Sequence, residues 1–370
     1  MKTELSALEL HYLVEEFDVL VNGRIDQIYH PDGNEVILQF HVPSLGRKIL
    51  RILLPRFIYL TDEKKENPEK ISGFCQFLRK RLENAKLKMI KQKNSERILE
   101  FLFEAKEGKI ILIVELFSKG NIIICDENYN ILSVLENREF KDRILKHGVK
   151  YEFPKNIKDF FDLSFESFKE IVKKSEKDIV KTLAADVGLG GLFSEEILLL
   201  SDIDKNKKEL DENELKALFS NFKKLFSRKS EPRIIYKDNM PVDIVPFDLE
   251  KYRDFEQKPV KAFNEAIDSV ITKGLIIDSI KPSKKDKDME KLNTLLQKQE
   301  AQIKEMEKEA EENQKKGEFI YENYQKVKEI LEAMIKAREK YSWKEIMEKA
   351  KGNKIIKEIN EAKGEVVVEI

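Results

Sequence analysis

The sequence predicts an α+β protein of several domains, because its pattern changes twice along 370 residues. Residues 1–160 carry mostly short alternating apolar segments, which are typical of strands. Residues 161–230 carry short amphipathic segments with short connections, which indicates a helical domain. Residues 231–370 return to strand patterns and then carry heptads over about 286–336. We therefore predict three domains with these boundaries: 1–160, 161–230 and 231–370.

The first domain opens with a predicted helix. Ser6 and Glu9 have the spacing of a capping box at its start. The apolar residues that follow have the spacing of one helix face: Leu10, Leu13, Val14, Phe17 and Val21. A second helix is predicted from Ile71, Phe74, Cys75, Leu78 and Leu82. Strands separated by turn residues are predicted at 36–42, 47–54, 97–103, 109–116 and 122–126.

The second domain contains four predicted helices, at 165–174, 178–187, 194–200 and 212–226. Gly188, Gly190 and Gly191 lie between the second and third of these helices. In a helix-hairpin-helix motif, such glycines let the backbone approach a phosphate, and the N–H groups at the start of the next helix point at it. A tight turn with a glycine C-cap explains the same residues, and the local sequence leaves both readings open.

The third domain begins with strand patterns at 233–236 and 242–245 and a helix over about 260–273. The heptad positions are then Met289, Leu292, Leu296, Gln299, Ile303, Met306, Ala310, Ile320, Tyr324, Val327, Leu331 and Met334. A sustained period of 3.5 residues predicts one long helix or a helical hairpin, which we interpret as a projecting coiled-coil arm. The alternative is a helix packed on its own domain.

Composition excludes several classes of protein. With 68 basic and 69 acidic residues the net charge is −1, so a nucleic-acid interface would have to be a local patch. Two Cys and four scattered His argue against a disulfide framework and a metal site. No phosphate-binding P-loop, dinucleotide fingerprint, nucleophile elbow or zinc-protease motif occurs. We therefore expect no hydrolytic or redox catalysis, no cofactor and no small-molecule substrate. A signal peptide and a membrane span are also not recognisable, so we expect a cytoplasmic protein without a membrane partner.

One local patch is present. Residues 78–97 carry eight basic and two acidic side chains. Clustered cations bind phosphates by releasing counterions, so the run predicts RNA contacts. The predicted phosphate-binding residues, with the three glycines above, are Arg79, Arg81, Lys86, Lys88, Lys91 and Lys93. We expect the four lysines to share an exposed face near Arg97. The alternative is a solvated helix face followed by a strand.

Several segments, in order, resemble the NFACT family. They are residues 6–10, 20–25, 73–82 leading to Glu96-Arg97, 115–124, 188–191 and 316–323. The resemblance implies an NFACT-N domain, a helix-hairpin-helix domain and a coiled-coil middle domain. The first of these has a fold similar to the N-terminal domain of formamidopyrimidine-DNA glycosylases. A C-terminal NFACT-R domain is not recognisable in this chain.

The family comprises ribosome-associated quality-control factors. The resemblance implies binding to the large ribosomal subunit with an obstructed peptidyl-tRNA, contacts with rRNA, and recruitment of tRNA for mRNA-independent tailing of the stalled chain. The family's tRNA site corresponds to Glu9, Glu96 and Arg97 here, with Glu in place of Asp in the acid–Arg pair. Taken alone, Glu9 reads as a capping residue and Glu96-Arg97 as a charged pair at a strand start. With the resemblance, we expect all three to line one solvent-open surface.

Two alternative functions belong to other classes of protein. A DNA-repair glycosylase or lyase of the related fold needs an N-terminal Pro-Glu, whereas this chain begins Met1-Lys2. An extracellular matrix-binding adhesin is suggested only because some bacterial members of the family are called fibronectin-binding proteins, and no signal peptide supports it.

Overall fold

The computed structural model describes residues 2–63, 71–155, 159–280, 284–350, 355–360 and 363–369. Within its helices, the side chains of 276–280, 284–294 and 297 are outside the description. The chain divides into two compact units, Met1–Asp278 and Ser279–Ile370. Both domain boundaries predicted from sequence, after 160 and after 230, fall inside the first unit, and the three-domain division stays a prediction.

Helix α1 (Ala7–Glu16) begins with the predicted capping box. The Ser6 hydroxyl accepts from Glu9 N, and Glu9 Oε2 accepts from Ser6 N at 2.8 Å. The helix buries Leu8, Leu10 and Leu13 completely and continues into a 3₁₀ turn, Phe17–Leu20. Its apolar face and its cap were both predictable because they depend on local spacing.

An antiparallel sheet of nine strands forms the centre of the first unit. The strands are β1 (Arg24–Asp32), β2 (Glu35–Val42), β3 (Gly46–Leu53), β4 (Phe57–Thr61), β5 (Lys86–Gln92), β6 (Ile98–Ala105), β7 (Gly108–Glu115), β8 (Asn121–Asp126) and β9 (Ile131–Val134). Their order is β4-β3-β2-β1-β5-β6-β7-β8-β9. β1 meets β5 at Arg24 and Lys86, so this pair joins the first four strands to the last five.

Helix α2 (Gly73–Leu82) connects the two groups of strands and buries Cys75, Leu78 and Leu82. Two short strands, β10 (Arg138–Glu139) and β11 (Ile144–Leu145), follow the sheet. Beside them the buried guanidinium of Arg143 pairs with Glu115, with 2.6 Å between Nη1 and Oε1.

Four predicted helical segments of the second domain are helical. They are α3 (Phe165–Lys174), α4 (Ile179–Lys181) continued by a π-helical turn (Thr182–Val187), α5 (Gly191–Leu200) and α6 (Glu212–Phe226). Phe168, Leu183, Phe193 and Phe222 are completely buried and belong to the main core. A three-stranded sheet in the order β13-β12-β14 comes next, from β12 (Arg233–Lys237), β13 (Met240–Val245) and β14 (Glu256–Pro259).

Helix α7 (Phe263–Ile280) is tied to the edge of the large sheet. The Asn264 side chain accepts from Leu60 N and donates to Leu60 O. Glu16 Oε1 and Oε2 accept from the N–H groups of Phe263 and Asn264 at 2.7 and 2.8 Å, which places a carboxylate at the helix start.

The second unit contains α8 (Lys284–Glu322), α9 (Tyr324–Lys340), α10 (Trp343–Ala350) and a hairpin of β15 (Ile356–Asn360) and β16 (Glu365–Val368). The heptad segment is therefore helical, as predicted, with a break at Asn323. Heptad side chains such as Ile303, Met306 and Leu331 are more than half exposed. Their pairing in a coiled coil stays a prediction, and the side chains of Met289 and Leu292 lie outside the described residues. None of the described helices is long and apolar enough to cross a membrane.

Candidate functional site

Three segments that are distant in sequence line one cleft of about 650 Å³ in the first unit. They are residues 2–7 of the N-terminal segment, residues 95–97 before β6, and the loop 188–191, which ends at the first residue of α5. Residues 242 and 243 of β13, Glu9 of α1 and residues 184, 185, 192 and 193 on either side of the loop also line it. The structure thus brings the predicted tRNA-binding residues together with the predicted glycine loop, although sequence reasoning treated them as separate sites.

Glu9 faces this cleft but is only 1% exposed. One carboxylate oxygen closes the capping box on Ser6, and the other lies 2.5 Å from the ammonium of Lys2. The expectation that Glu9 is open to solvent is therefore wrong, because the helix cap and an ion pair use both oxygens. The capping role that the local sequence suggested is confirmed.

Lys2 is a residue of the site that sequence reasoning missed. Its side chain is 6% exposed, and its Nζ also lies 3.0 Å from Asp243 Oδ1. The other oxygen of Asp243 accepts from the hydroxyl of Tyr252 at 2.5 Å. Burial acts to lower the pKa of Lys2, but Glu9 and Asp243 outweigh it and the pKa is raised. No local signal marks this residue, because its partners come from α1 and β13.

Arg97 is partly exposed, at 23% of its side chain, and points to the N-terminal segment. Its Nη1 lies 2.7 Å from Glu4 Oε2 and donates to Leu5 O at 3.2 Å. Glu96 is also partly buried and lines the same cleft. The amide of Gln92 holds this turn against α1, since it donates to Ala7 O and Glu96 O at 2.8 and 2.9 Å.

The glycine loop enters the cleft through backbone conformations that favour glycine. Gly188 caps the preceding helix with φ of 92°, and Gly190 has φ of 81° as the N-cap of α5. Gly190 makes no side-chain cap, so the first N–H groups of α5 have no side-chain acceptor at this position. A Cβ on Gly190 would lie 4.0 Å from Cβ of Ser6, so the strain comes from φ rather than from crowding.

Family membership follows from comparison with known sequences. The family model described as NFACT N-terminal and middle domains matches residues 6–366. The chain belongs to the NFACT family. It is 36% identical to the archaeal Rqc2 homolog aRqcH of Methanocaldococcus jannaschii over 100% of this chain and 58% of that protein. It is 24% identical to the ribosome quality control complex subunit NEMF of Homo sapiens over 94% of this chain and 35% of that protein. This NFACT chain thus spans less than two thirds of these relatives.

Solved structures support the fold. The N-terminal part of the fibronectin/fibrinogen-binding protein of Streptococcus suis has a TM-score of 0.59 and 24% identity, over 73% of this chain and 100% of that one. The fibrinogen-binding protein of Staphylococcus aureus has a TM-score of 0.58 and 20% identity, over 71% and 97% of the two chains. At these identities the likeness shows the fold alone.

The NFACT cleft is not a simple cationic groove. Its described lining contains two cations, Lys2 and Arg97, and four carboxylates, Glu4, Glu9, Glu96 and Asp243. A ligand therefore meets one partly exposed guanidinium paired with Glu4, backbone N–H groups and the carboxylates of Glu4 and Glu96 together, which suits a group with both acceptors and donors. Among the described residues, no three His, Cys, Asp or Glu side chains are grouped so that they could hold a metal ion.

The basic residues of the segment 78–97 lie partly on helix α2 and partly on strand β5. Arg79 donates from Nε to Ile28 O at 2.8 Å, and Arg81 pairs with Glu107. Lys86 is partly buried at the start of β5. A helix ends at Leu82 and a strand follows, and this order of elements is compatible with phosphate binding and with the local alternative.

The remaining lysines of the run lie on β5 or just after it. Lys88 and Lys91 are exposed, with their Nζ atoms 3.2 Å from Glu104 Oε2 and 3.4 Å from Glu100 Oε1. Lys93 is partly buried, with its Nζ 4.6 Å from the centre of a phenylalanine ring. The expectation that all four lysines share an exposed face is therefore wrong in detail, since two are partly buried. Carboxylates of β6 pair with the other two, and sequence order does not show this. The phosphate-binding role of the run stays a prediction.

Proposed function

We propose that this chain is the RNA-binding part of a cytoplasmic ribosome quality-control factor. Family membership supports this, as do relatives named as ribosome quality control complex subunits. Its partners are the large ribosomal subunit with an obstructed peptidyl-tRNA, rRNA, and a tRNA that is recruited for mRNA-independent tailing of the stalled chain.

The convergence of Glu96, Arg97 and the loop 188–191 on one cleft carries the proposal. Arg97 contacts a phosphate or a base edge, and Glu96 accepts from donors such as a 2′-OH. The N–H groups at the start of α5 add an anion-binding position. Glu9 holds the start of α1 and does not contact the RNA directly, because its oxygens already have partners.

The double variant Glu96→Ala, Arg97→Ala tests the tRNA site. We expect it to lose tRNA recruitment while binding to the large subunit through other surfaces persists. Arg253→Ala is the matched control, since Arg253 is 74% exposed and does not line the cleft. Sedimentation with large subunits and tRNA co-purification are measured in parallel. Loss of both activities, or retention of both, contradicts a separate tRNA site here.

The observations on Lys2 do not favour a DNA glycosylase or lyase. Schiff-base chemistry needs a neutral amine, whereas the amine of Lys2 is buried between two carboxylates that keep it protonated. Borohydride trapping on lesion DNA should therefore give no covalent adduct. An adhesin function has no support in the geometry of the cleft, and the likeness to fibronectin- and fibrinogen-binding proteins shows only the fold.

A further inference from the structure

A buried ammonium joins two distant parts of the cleft. Lys2 Nζ lies 2.5 Å from Glu9 Oε1, on α1, and 3.0 Å from Asp243 Oδ1, on β13. All three side chains are at most 14% exposed. A buried ion pair contributes little by itself, but removing one partner leaves an uncompensated buried charge.

The carboxylates have no freedom to turn away from Lys2. Glu9 Oε2 accepts from the backbone N and hydroxyl of Ser6 at 2.8 and 3.0 Å. Asp243 Oδ2 accepts from Tyr252, and its Oδ1 also accepts from Ile244 N at 2.8 Å. Lys2 is therefore held at a fixed position by groups that the rest of the fold has already placed.

Lys2 also changes the net charge of the cleft. Without Lys2, Arg97 would be the sole cation among the described residues that line the cleft, against four carboxylates. Charges at a partly desolvated site act over several ångströms, so this change would repel a polyanion. Lys2 also fixes the start of the segment that reaches Leu5, whose carbonyl accepts from Arg97.

We infer that Lys2 is a positioning residue for the RNA ligand of this cleft, because its ammonium offsets the charges of Glu9 and Asp243 and anchors the segment that Arg97 contacts. The inference rests on the proposed RNA-binding function. Lys2 itself does not touch RNA, since both carboxylates enclose its ammonium.

The test measures binding of a fluorescently labelled tRNA transcript. Lys2→Met should weaken binding roughly tenfold, as expected for loss of one charge near the ligand at an intermediate dielectric constant. Lys2→Met combined with Asp243→Asn restores the net charge of the cleft, so its affinity should return to within about threefold of the wild type. Lys109→Met removes an exposed lysine that does not line the cleft and is the matched control.

A purely structural role predicts a different order. Affinity would then follow the free energy of unfolding from variant to variant, because neutralising Asp243 also relieves a buried charge, whereas a charge effect on the ligand changes affinity between variants of equal stability. Asp243→Asn alone keeps Lys2 and should raise affinity by roughly threefold, which preserves the test if Lys2→Met folds poorly. Unchanged binding by Lys2→Met, no recovery in the double variant, or weaker binding by Asp243→Asn overturns the inference.

Arg97→Ala, measured beside these variants, separates the two proposals. If Arg97→Ala binds like the wild type, the proposed function fails. If Arg97→Ala is weakened and Lys2→Met is not, only the inference about Lys2 fails. Urea unfolding of each variant shows that the chains compared are folded.

Discussion

Arg97 and Glu4 form an ion pair in the candidate RNA cleft, with 2.7 Å between Nη1 and Oε2. The Glu4 side chain is 51% exposed and flexible, so water competes with Arg97 for its carboxylate and the ion pair is weak. The guanidinium that we propose for RNA binding is thus occupied by a carboxylate of the same chain. A phosphate must compete with Glu4 for this position.

Glu4→Gln should therefore tighten tRNA binding. Partly exposed ion pairs contribute up to about 1 kcal/mol, so the gain should be at most about fivefold. Titration of a labelled tRNA transcript measures it, with Glu127→Gln as a control on the exposed turn after β8. Equal or weaker binding by Glu4→Gln would mean that Glu4 does not compete with the ligand.

Gly190→Ala should reduce the free energy of RNA binding by more than it reduces the free energy of unfolding, because a Cβ obstructs the approach of a phosphate to this backbone. At φ of 81° and ψ of 159°, a backbone conformation that almost only glycine adopts, a Cβ costs about 1–3 kcal/mol, and each kcal/mol lowers the melting temperature by about 2–4 °C. Gly73→Ala is the control, because Gly73 starts α2 with open space around its Cβ position. Thermal unfolding and tRNA binding are compared for both variants. A large loss of stability with intact binding would restore the reading of this loop as a structural turn.

Lys88→Gln with Lys91→Gln tests the basic run. Lys88 is paired at the surface, so its loss should change the free energy of unfolding by less than about 1 kcal/mol, whereas loss of Lys91 leaves the buried Glu100 without its cation and should cost more. If both lysines contact phosphates, the negative slope of log affinity against log salt should become less steep by about two units. The affinity for large subunits or rRNA fragments is measured at several salt concentrations. An unchanged slope shows that these lysines serve only their ion pairs with β6.

Glu16 should make stability depend on pH. Burial raises the pKa of Glu16 above its usual 4.5, although the N–H groups of Asn264 and Phe263 offset part of the effect. Between 4.5 and the folded pKa the folded state binds more protons than the unfolded state, so this contribution to stability falls as pH rises through that window. Glu16→Gln lacks this ionisation. The urea midpoint of Glu16→Gln minus that of the wild type should increase as pH rises above about 4.5 and become constant above the folded pKa. A difference that does not change with pH contradicts this prediction.

Much of the fold was predictable because local spacing determines it. The helices at Phe165–Lys174 and Glu212–Phe226 have the predicted bounds, and the capping box at Ser6 is formed. Strands β2, β3, β6, β7 and β8 lie within two residues of prediction. In the large sheet β1, β4 and β9 were not predicted, and β5 was expected only as the strand in the alternative interpretation of the basic run. β1 mixes polar and apolar residues and contains a proline, and β4 is only five residues long.

The candidate site was predictable only in part. Glu96 and Arg97 were predicted from the resemblance to the NFACT family and the glycines also from their own segment, and the structure places them in one cleft. The burial of Glu9 and the role of Lys2 were not predicted, because a partner 241 residues away in sequence leaves no periodic signal. Likewise, the net positive charge of residues 78–97 overestimates the charge that is available to bind phosphate, since Lys88 pairs with a carboxylate of the neighbouring strand.

The sequence by itself determined most of the described helices, fewer than half of the described strands, the absence of familiar catalytic motifs and the resemblance to the NFACT family. These depend on residues that are close along the chain, where period, capping and turn chemistry act directly. Only the tertiary structure decided that the N-terminus, the turn at Arg97 and the loop at Gly190 form one cleft. It also decided which charges are paired, as for Lys2 between Glu9 and Asp243. Burial and ion pairing are set by residues that packing brings together, so charges cannot be assigned to solvent or to a partner until the chain has folded.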